Sequence, residues 1–226
     1  MPRSLMLRSL STCQPGPAVM CQLAGLDPAG LTGEERIDYV IAWERCEAWV
    51  AAGKQRALAV MGTAPGDPDP LDVHLGLAPI QGSSADLVSR ADAQDERGVH
   101  SEVAFALRLG PAATATRLAT ARRLAGPSPT LPATFTALAT GAIRFLHALA
   151  IAETLRPLEG DQPATTEAEA RALRVATSDT VGRTRTVAAK AVVALDPSGA
   201  DDRHRERAAS AGCGRDRSRT AWRCSP

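Results

Sequence analysis

The sequence predicts an all-α protein: one long N-terminal helix plus a bundle of shorter helices that includes a helix-turn-helix-like hairpin. Three observations predict it. Apolar residues make up 44% of the chain, yet aromatics only 3%, and much of the apolar share is alanine. Alanine is the best helix former, whereas strands favour branched and aromatic side chains. Apolar residues recur at three- and four-residue spacing, the period of one helix face. Caps and breakers fall at the ends of those periodic stretches.

Taken in order, residues 1–30 read as a flexible arm broken by Pro15, Pro17 and Pro28. Residues 31–61 read as the long helix. Thr32 and Glu35 have the spacing of a capping box, in which each side chain satisfies the other residue's backbone N–H. Ile37, Val40, Ile41, Trp43, Val50, Leu58 and Met61 fall within one broad face, interrupted by Glu47 and Lys54, so no clean coiled-coil seam results. Trp43 and Trp49 read as core or interface anchors. Residues 62–98 are rich in Pro, Gly, Asp and Ser and read as a linker or long loop. Asp67, Asp69 and Asp72 lack the glycine and glutamate spacing of a calcium loop.

Residues 99–209 read as the bundle. Its first two helices form the hairpin over 101–126. Val103, Ala106 and Leu107 mark the first face, Gly110–Pro111 the turn, and Leu118, Ala121 and Ala125 the second face. Pro111 suits the first position of a helix, and Gly110 is expected to supply the conformational freedom of the turn. Further helices are expected at 132–140, 142–157, 167–176 and 179–195. In the second, Ile143, Leu146, Leu149 and Ala150 point inward with His147 beside them. Thr166 and Glu169 form a capping box for the third. Asp196–Gly199 is a turn before an exposed, charged helix.

The hairpin carries the functional expectation. Over 101–126 there are four arginines, Arg108, Arg117, Arg122 and Arg123, against the single acid Glu102. Arginines on an exposed helix face can contact phosphates and guanine edges. These four are the candidate nucleic-acid-binding residues, with Arg123 pointing away from the apolar face and Arg117 and Arg122 flanking it. Charge is uneven along the chain. Residues 1–100 hold 8 basic and 13 acidic side chains, and residues 101–226 hold 18 and 12. A basic C-terminal half is compatible with an acidic partner. It is far from the basicity of a dedicated nucleic-acid binder.

Much chemistry is missing. The sequence holds no phosphate-loop, dinucleotide, nucleophile-elbow or zinc-protease motif. Its four histidines are scattered and it has no asparagine. The five cysteines form no C-x-x-C pair, which argues against zinc and a disulfide framework and fits a reducing cytoplasm. No apolar run reaches membrane-spanning length. The expectation is therefore no catalytic residue, no metal, no cofactor, no membrane and a cytoplasmic location. Two lysines against 24 arginines reflect a GC-rich genome.

Four stretches have a familiar order and spacing: LDPAGLTGEERIDYVIAWERCEAWVAAGKQRALAVM, EVAFALRLGPAATATRLATARRL, LPATFTALATGAIRFLHALAIAE and AVVALDPSGADDRHRERAA. Over about residues 26–209 the chain resembles the N-terminal region of the bacterial 222 family of domains of unknown function, the thirteen-E-twelve repeat proteins. The resemblance implies a His–Asn–His endonuclease module C-terminal to such a region, and hence DNA as the ultimate substrate. No residue of that module is present to carry over.

After Arg207 the text changes to SAGCGRDRSRTAWRCSP. Back-translated with GC-rich codons and read two bases along, Ser218–Cys224 can spell Pro-Asp-Gly-Met-Ala-Val-Leu, a continuation usual in the family. Residues 210–226 are accordingly expected to be an aberrant, disordered tail of a frameshifted or truncated product. The function expected is a non-catalytic helical domain of a nuclease-associated family that binds DNA. The alternative is a protein-interaction or oligomerisation module that self-associates through the long helix and its tryptophans.

Overall fold

The computed structural model describes residues 2–61 and 97–199, and among these residues every regular element is helical. The helices are α1 (Arg3–Thr12), α2 (Pro17–Ala24), α3 (Gly33–Ala59), α4 (97–107), α5 (Pro111–Ala125), α6 (Pro132–Ala139), α7 (Phe145–Thr154), α8 (Gln162–Ala176) and α9 (Val181–Leu195). Short 3₁₀ turns lie at Pro28–Gly30 and Arg156–Leu158. The linker expected over 62–98 lies outside the described residues up to residue 96. So do the charged helix and tail beyond residue 199, except for the helical start at 197–199.

The chain divides into two compact units, Met1–Ala148 and Leu149–Pro226. In the first, α3 is the central element. It packs against α1 and α2 along one part and against α5 and α6 along another. Its start is the expected capping box. Thr32 Oγ1 accepts from Glu35 N, and Glu35 Oε2 accepts from Thr32 N at 2.9 Å.

Residues 1–30 are not a loose arm. Two of the prolines punctuate helices instead of preventing them, since a proline costs nothing where the first-turn N–H has no partner. Pro17 opens α2 and Pro28 opens the 3₁₀ turn. Leu7, Leu10, Val19 and Leu23 are buried with Leu31, Ala42 and Cys46 in one apolar cluster. Each fully buried leucine contributes about 1.5–3 kcal/mol relative to exposure. That gain holds the segment down, helped by Arg3, which donates to Gly30 O at 2.8 Å.

The face assigned to α3 from sequence is also corrected. Ile37, Val40, Ile41, Val50 and Met61 are exposed, while Ala42, Cys46, Ala48, Ala52, Gln55, Leu58 and Ala59 are buried. The buried side rotates along the helix. Glu35, Ala42 and Cys46 define it near α1 and α2, and Leu58 and Ala59 define it near α4 and α5. Small side chains let these neighbours approach closely, so Ala42, Ala48, Ala52 and Ala59 face inward while Ile37, Val40, Ile41 and Val50 face outward.

In the second unit α8 packs on α9. The buried residues Thr165, Ala168, Ala172 and Ala176 belong to α8, and Thr184, Ala188, Ala191 and Val192 to α9. The capping box expected at Thr166 is absent. α8 begins at Gln162, with Asp161 accepting from Ala164 N at 2.9 Å. Thr166 Oγ1 donates to Gln162 O within the helix, and Glu169 is buried on its inner side. Asp196 Oδ1 accepts from Gly199 N at 2.9 Å, so the expected turn is the cap of a further helix.

Candidate nucleic-acid interface

The hairpin is built where the sequence placed it. Val103 of α4 and Leu118 and Ala121 of α5 are buried together with Leu58 and Ala59 of α3. Pro111 is the first residue of α5. The turn, however, works differently from the expectation. Gly110 is extended, at φ −71° and ψ 158°. The left-handed residue is Arg108, at φ 53°. Leu109 N donates to Ala104 O at 2.9 Å and Arg108 N to Phe105 O at 3.2 Å, which closes α4 as a Schellman motif.

The four candidate arginines do not share a face. Arg108 is exposed. Arg117 is half-buried, its guanidinium carbon 5.8 Å from the centroid of the Phe145 ring, within cation–π range. Arg122 is half-buried and already engaged within the chain. Arg123 does not point away from the packed side: it is buried, and its Nε donates to Thr130 Oγ1 at 3.3 Å. The carbonyl of Arg123 also accepts from Leu131 N at 3.0 Å, which ties the segment after α5 back to the helix.

Helical geometry explains the scatter. At 3.6 residues per turn, positions 117, 122 and 123 are spread around the axis. The residues of α5 turned to solvent are Pro111, Ala112, Ala113, Ala115, Thr116 and Ala119, none of them charged. Both sides of α5 are occupied, by α3 and by α6. Sequence reasoning missed this because it assumed one neighbour for a helix that has two.

The long helix, which the sequence offered as an alternative self-association surface, exposes branched aliphatics on its outer side. Ile37 is 63% exposed, Val40 55%, Ile41 44% and Val50 43%. A groove between α2 and α3 has Met20, Val40, Trp43 and Val50 as its apolar lining and Glu44 and Glu47 as its acidic members. Glu44 pairs with Arg144 at 3.0 Å. The signal was in the sequence. Alanines and a cysteine recur at 42, 46, 48, 52 and 59, and these small residues mark the packed side. The tryptophan expectation holds in part, as Trp43 packs against the N-terminal cluster and meets Tyr39 edge-to-face at 6.3 Å.

Among the described residues no three His, Cys, Asp or Glu side chains gather as metal ligands, and no helix is long and apolar enough to cross a membrane. Cys46 is buried, which raises its thiol pKa.

These features define an all-helical protein that exposes branched aliphatic residues on α3 among the described residues. The chain belongs to the family described as a domain of unknown function, DUF222, which it matches over residues 80–221. The match starts after α3 and runs through most of the segment read as an aberrant tail. No curated protein and no solved structure matches the chain.

Proposed function

We propose that the chain is a non-catalytic helical module that assembles with a second copy of itself through the outer surface of α3. One observation carries this reading: three of the branched aliphatics of α3, Ile37, Val40 and Ile41, point to solvent while Ala42, Ala48, Ala52 and Ala59 are buried. Scattered exposed apolar residues are ordinary, but a contiguous set on one element marks an interaction surface. The same helix is covered by α5 and α6 further along, so a second copy continues packing that α3 already makes. Light scattering over a concentration series tests this. Mass above the 23.6 kDa of one chain is expected for the wild type. The Val40→Asp, Val50→Asp double variant is expected to remain at monomer mass. A wild type that stays monomeric throughout overturns the reading.

A second reading, DNA binding, is favoured by the absence of any acidic residue on α5 and by the exposure of Arg108 at its entrance. The nuclease association implied by the family resemblance belongs to this reading. Phosphate contacts lose affinity steeply with salt. Retention of duplex DNA at low salt that falls as salt rises, and that is lost on changing Arg108, Arg117 and Arg122 to alanine, would favour it.

A further inference from the structure

The α3 groove has an acidic side, and the second unit offers its counterpart. The outward side of α9 exposes Val193 at 55%, with Ala189 and Ala194 beside it and Arg185 and Lys190 along it. α9 contains three basic residues, Arg183, Arg185 and Lys190, and no acidic one. The groove on α3 is the reverse: apolar residues accompanied by Glu44 and Glu47. Arg185 is already paired with Glu153 at 3.4 Å and Glu44 with Arg144. Among the described residues, neither Glu47 nor Lys190 has an ion-pair partner. Each stands at the edge of an apolar surface with its charge uncompensated.

We infer that α9 of one copy docks in the groove between α2 and α3 of another, with Val193 against Val50 and Lys190 against Glu47, pairs that share the same three-residue spacing on their helices. This rests on the self-association proposed above and names the surface that occupies the groove. Amphipathic helices bind in this way when apolar anchors fill a groove and flanking charges set the register. The contact is heterologous, since a different patch is used on each copy, so it does not close on itself as a two-fold dimer does.

A heterologous contact permits complementation, and that gives the test. One variant, Val40→Asp with Val50→Asp, loses the groove. A second, Lys190→Glu with Val193→Asp, loses the helix surface. All four changes are at exposed positions, and circular dichroism checks that both variants fold. Each variant alone is expected to stay monomeric, and the two mixed are expected to form a one-to-one dimer that light scattering detects. Charge reversal adds a second readout. Glu47→Lys and Lys190→Glu are each expected to weaken self-association about tenfold, and the double reversal to restore most of it, because like charges brought together repel and exchanged charges attract. A wild type that associates while the mixed variants remain monomeric overturns the α9 assignment and leaves self-association standing. A wild type that never associates overturns both.

Discussion

Arg45 and Gly141 approach so closely that no side chain fits between them: a Cβ built on Gly141 would lie 2.9 Å from the Cβ of Arg45. Gly141 has φ +69° and closes α6, with Ala142 N donating to Ala137 O at 2.8 Å and Gly141 N to Leu138 O at 3.1 Å. The closeness serves Arg45. Its guanidinium donates to Thr140 O and to Cys13 O, each at 3.1 Å. Both carbonyls end helices, where intrahelical donors have run out. One side chain thus joins the ends of α1 and α6 to the middle of α3. Gly141→Ala pays twice, about 1–2 kcal/mol for the left-handed backbone and more for the displaced Arg45. Urea denaturation is expected to show a loss of at least about 2 kcal/mol, and an unchanged midpoint would refute this account of the corner.

Arg108 offers the opposite case. It takes the left-handed position at the end of α4, where glycine is free of the Cβ penalty. Its side chain is exposed, so little packing is lost on removing it. Arg108→Gly is expected to stabilise the fold by up to about 1 kcal/mol, read as a higher urea midpoint. If Arg108 contacts DNA, the same variant also weakens retention at low salt, so one protein reports on backbone strain and on phosphate contact.

Arg122 and Arg123 are neighbours in sequence with different fates. Arg123→Ala removes a buried guanidinium together with its hydrogen bond to Thr130 Oγ1, and is expected to cost about 1–3 kcal/mol. Arg122→Ala, at a half-buried position, is expected to cost less. Thermal unfolding of the pair ranks them, and equal losses would show that burial does not separate the two.

What the sequence made legible was local. The capping box Thr32–Glu35, the helix start at Pro111 and the stop at Gly141 each depend on residues within one turn, so spacing suffices to find them. The inward side of α3 was not legible, because its apolar stripe is broad and the buried side is set by partners. Those partners change along the helix, from α1 and α2 near Cys46 to α4 and α5 near Ala59. Residues 1–30 misled for a related reason. Proline marks helix starts as well as breaks, and only the burial of Leu7 and Leu23 decides which. The orientation of Arg123 was not legible for the same reason: a side chain expected in solvent is buried and donates to Thr130.

The cap of α3 carries a pH dependence whose sign follows from its bonds. Glu35 is held below its ordinary pKa of 4.5, first by the Thr32 backbone N–H and then by Arg3, whose guanidinium lies 3.4 Å away. A carboxylate with a lowered folded-state pKa contributes stability above its unfolded value and loses it as pH falls through the folded value. At neutral pH the contribution is fully present. Below pH 4.5 it declines, and protonation frees Thr32 N and Arg3 together. Glu35→Gln removes the charge but keeps an acceptor for the cap. Urea midpoints of the wild type and Glu35→Gln are therefore expected to differ at pH 7 and to converge as the pH is lowered past the folded-state pKa. Thr32→Ala is expected to cost about 1 kcal/mol at pH 7 by removing the other half of the box. A gap between wild type and Glu35→Gln that stays constant from pH 7 into strong acid would mean that the carboxylate charge plays no part in holding the start of α3.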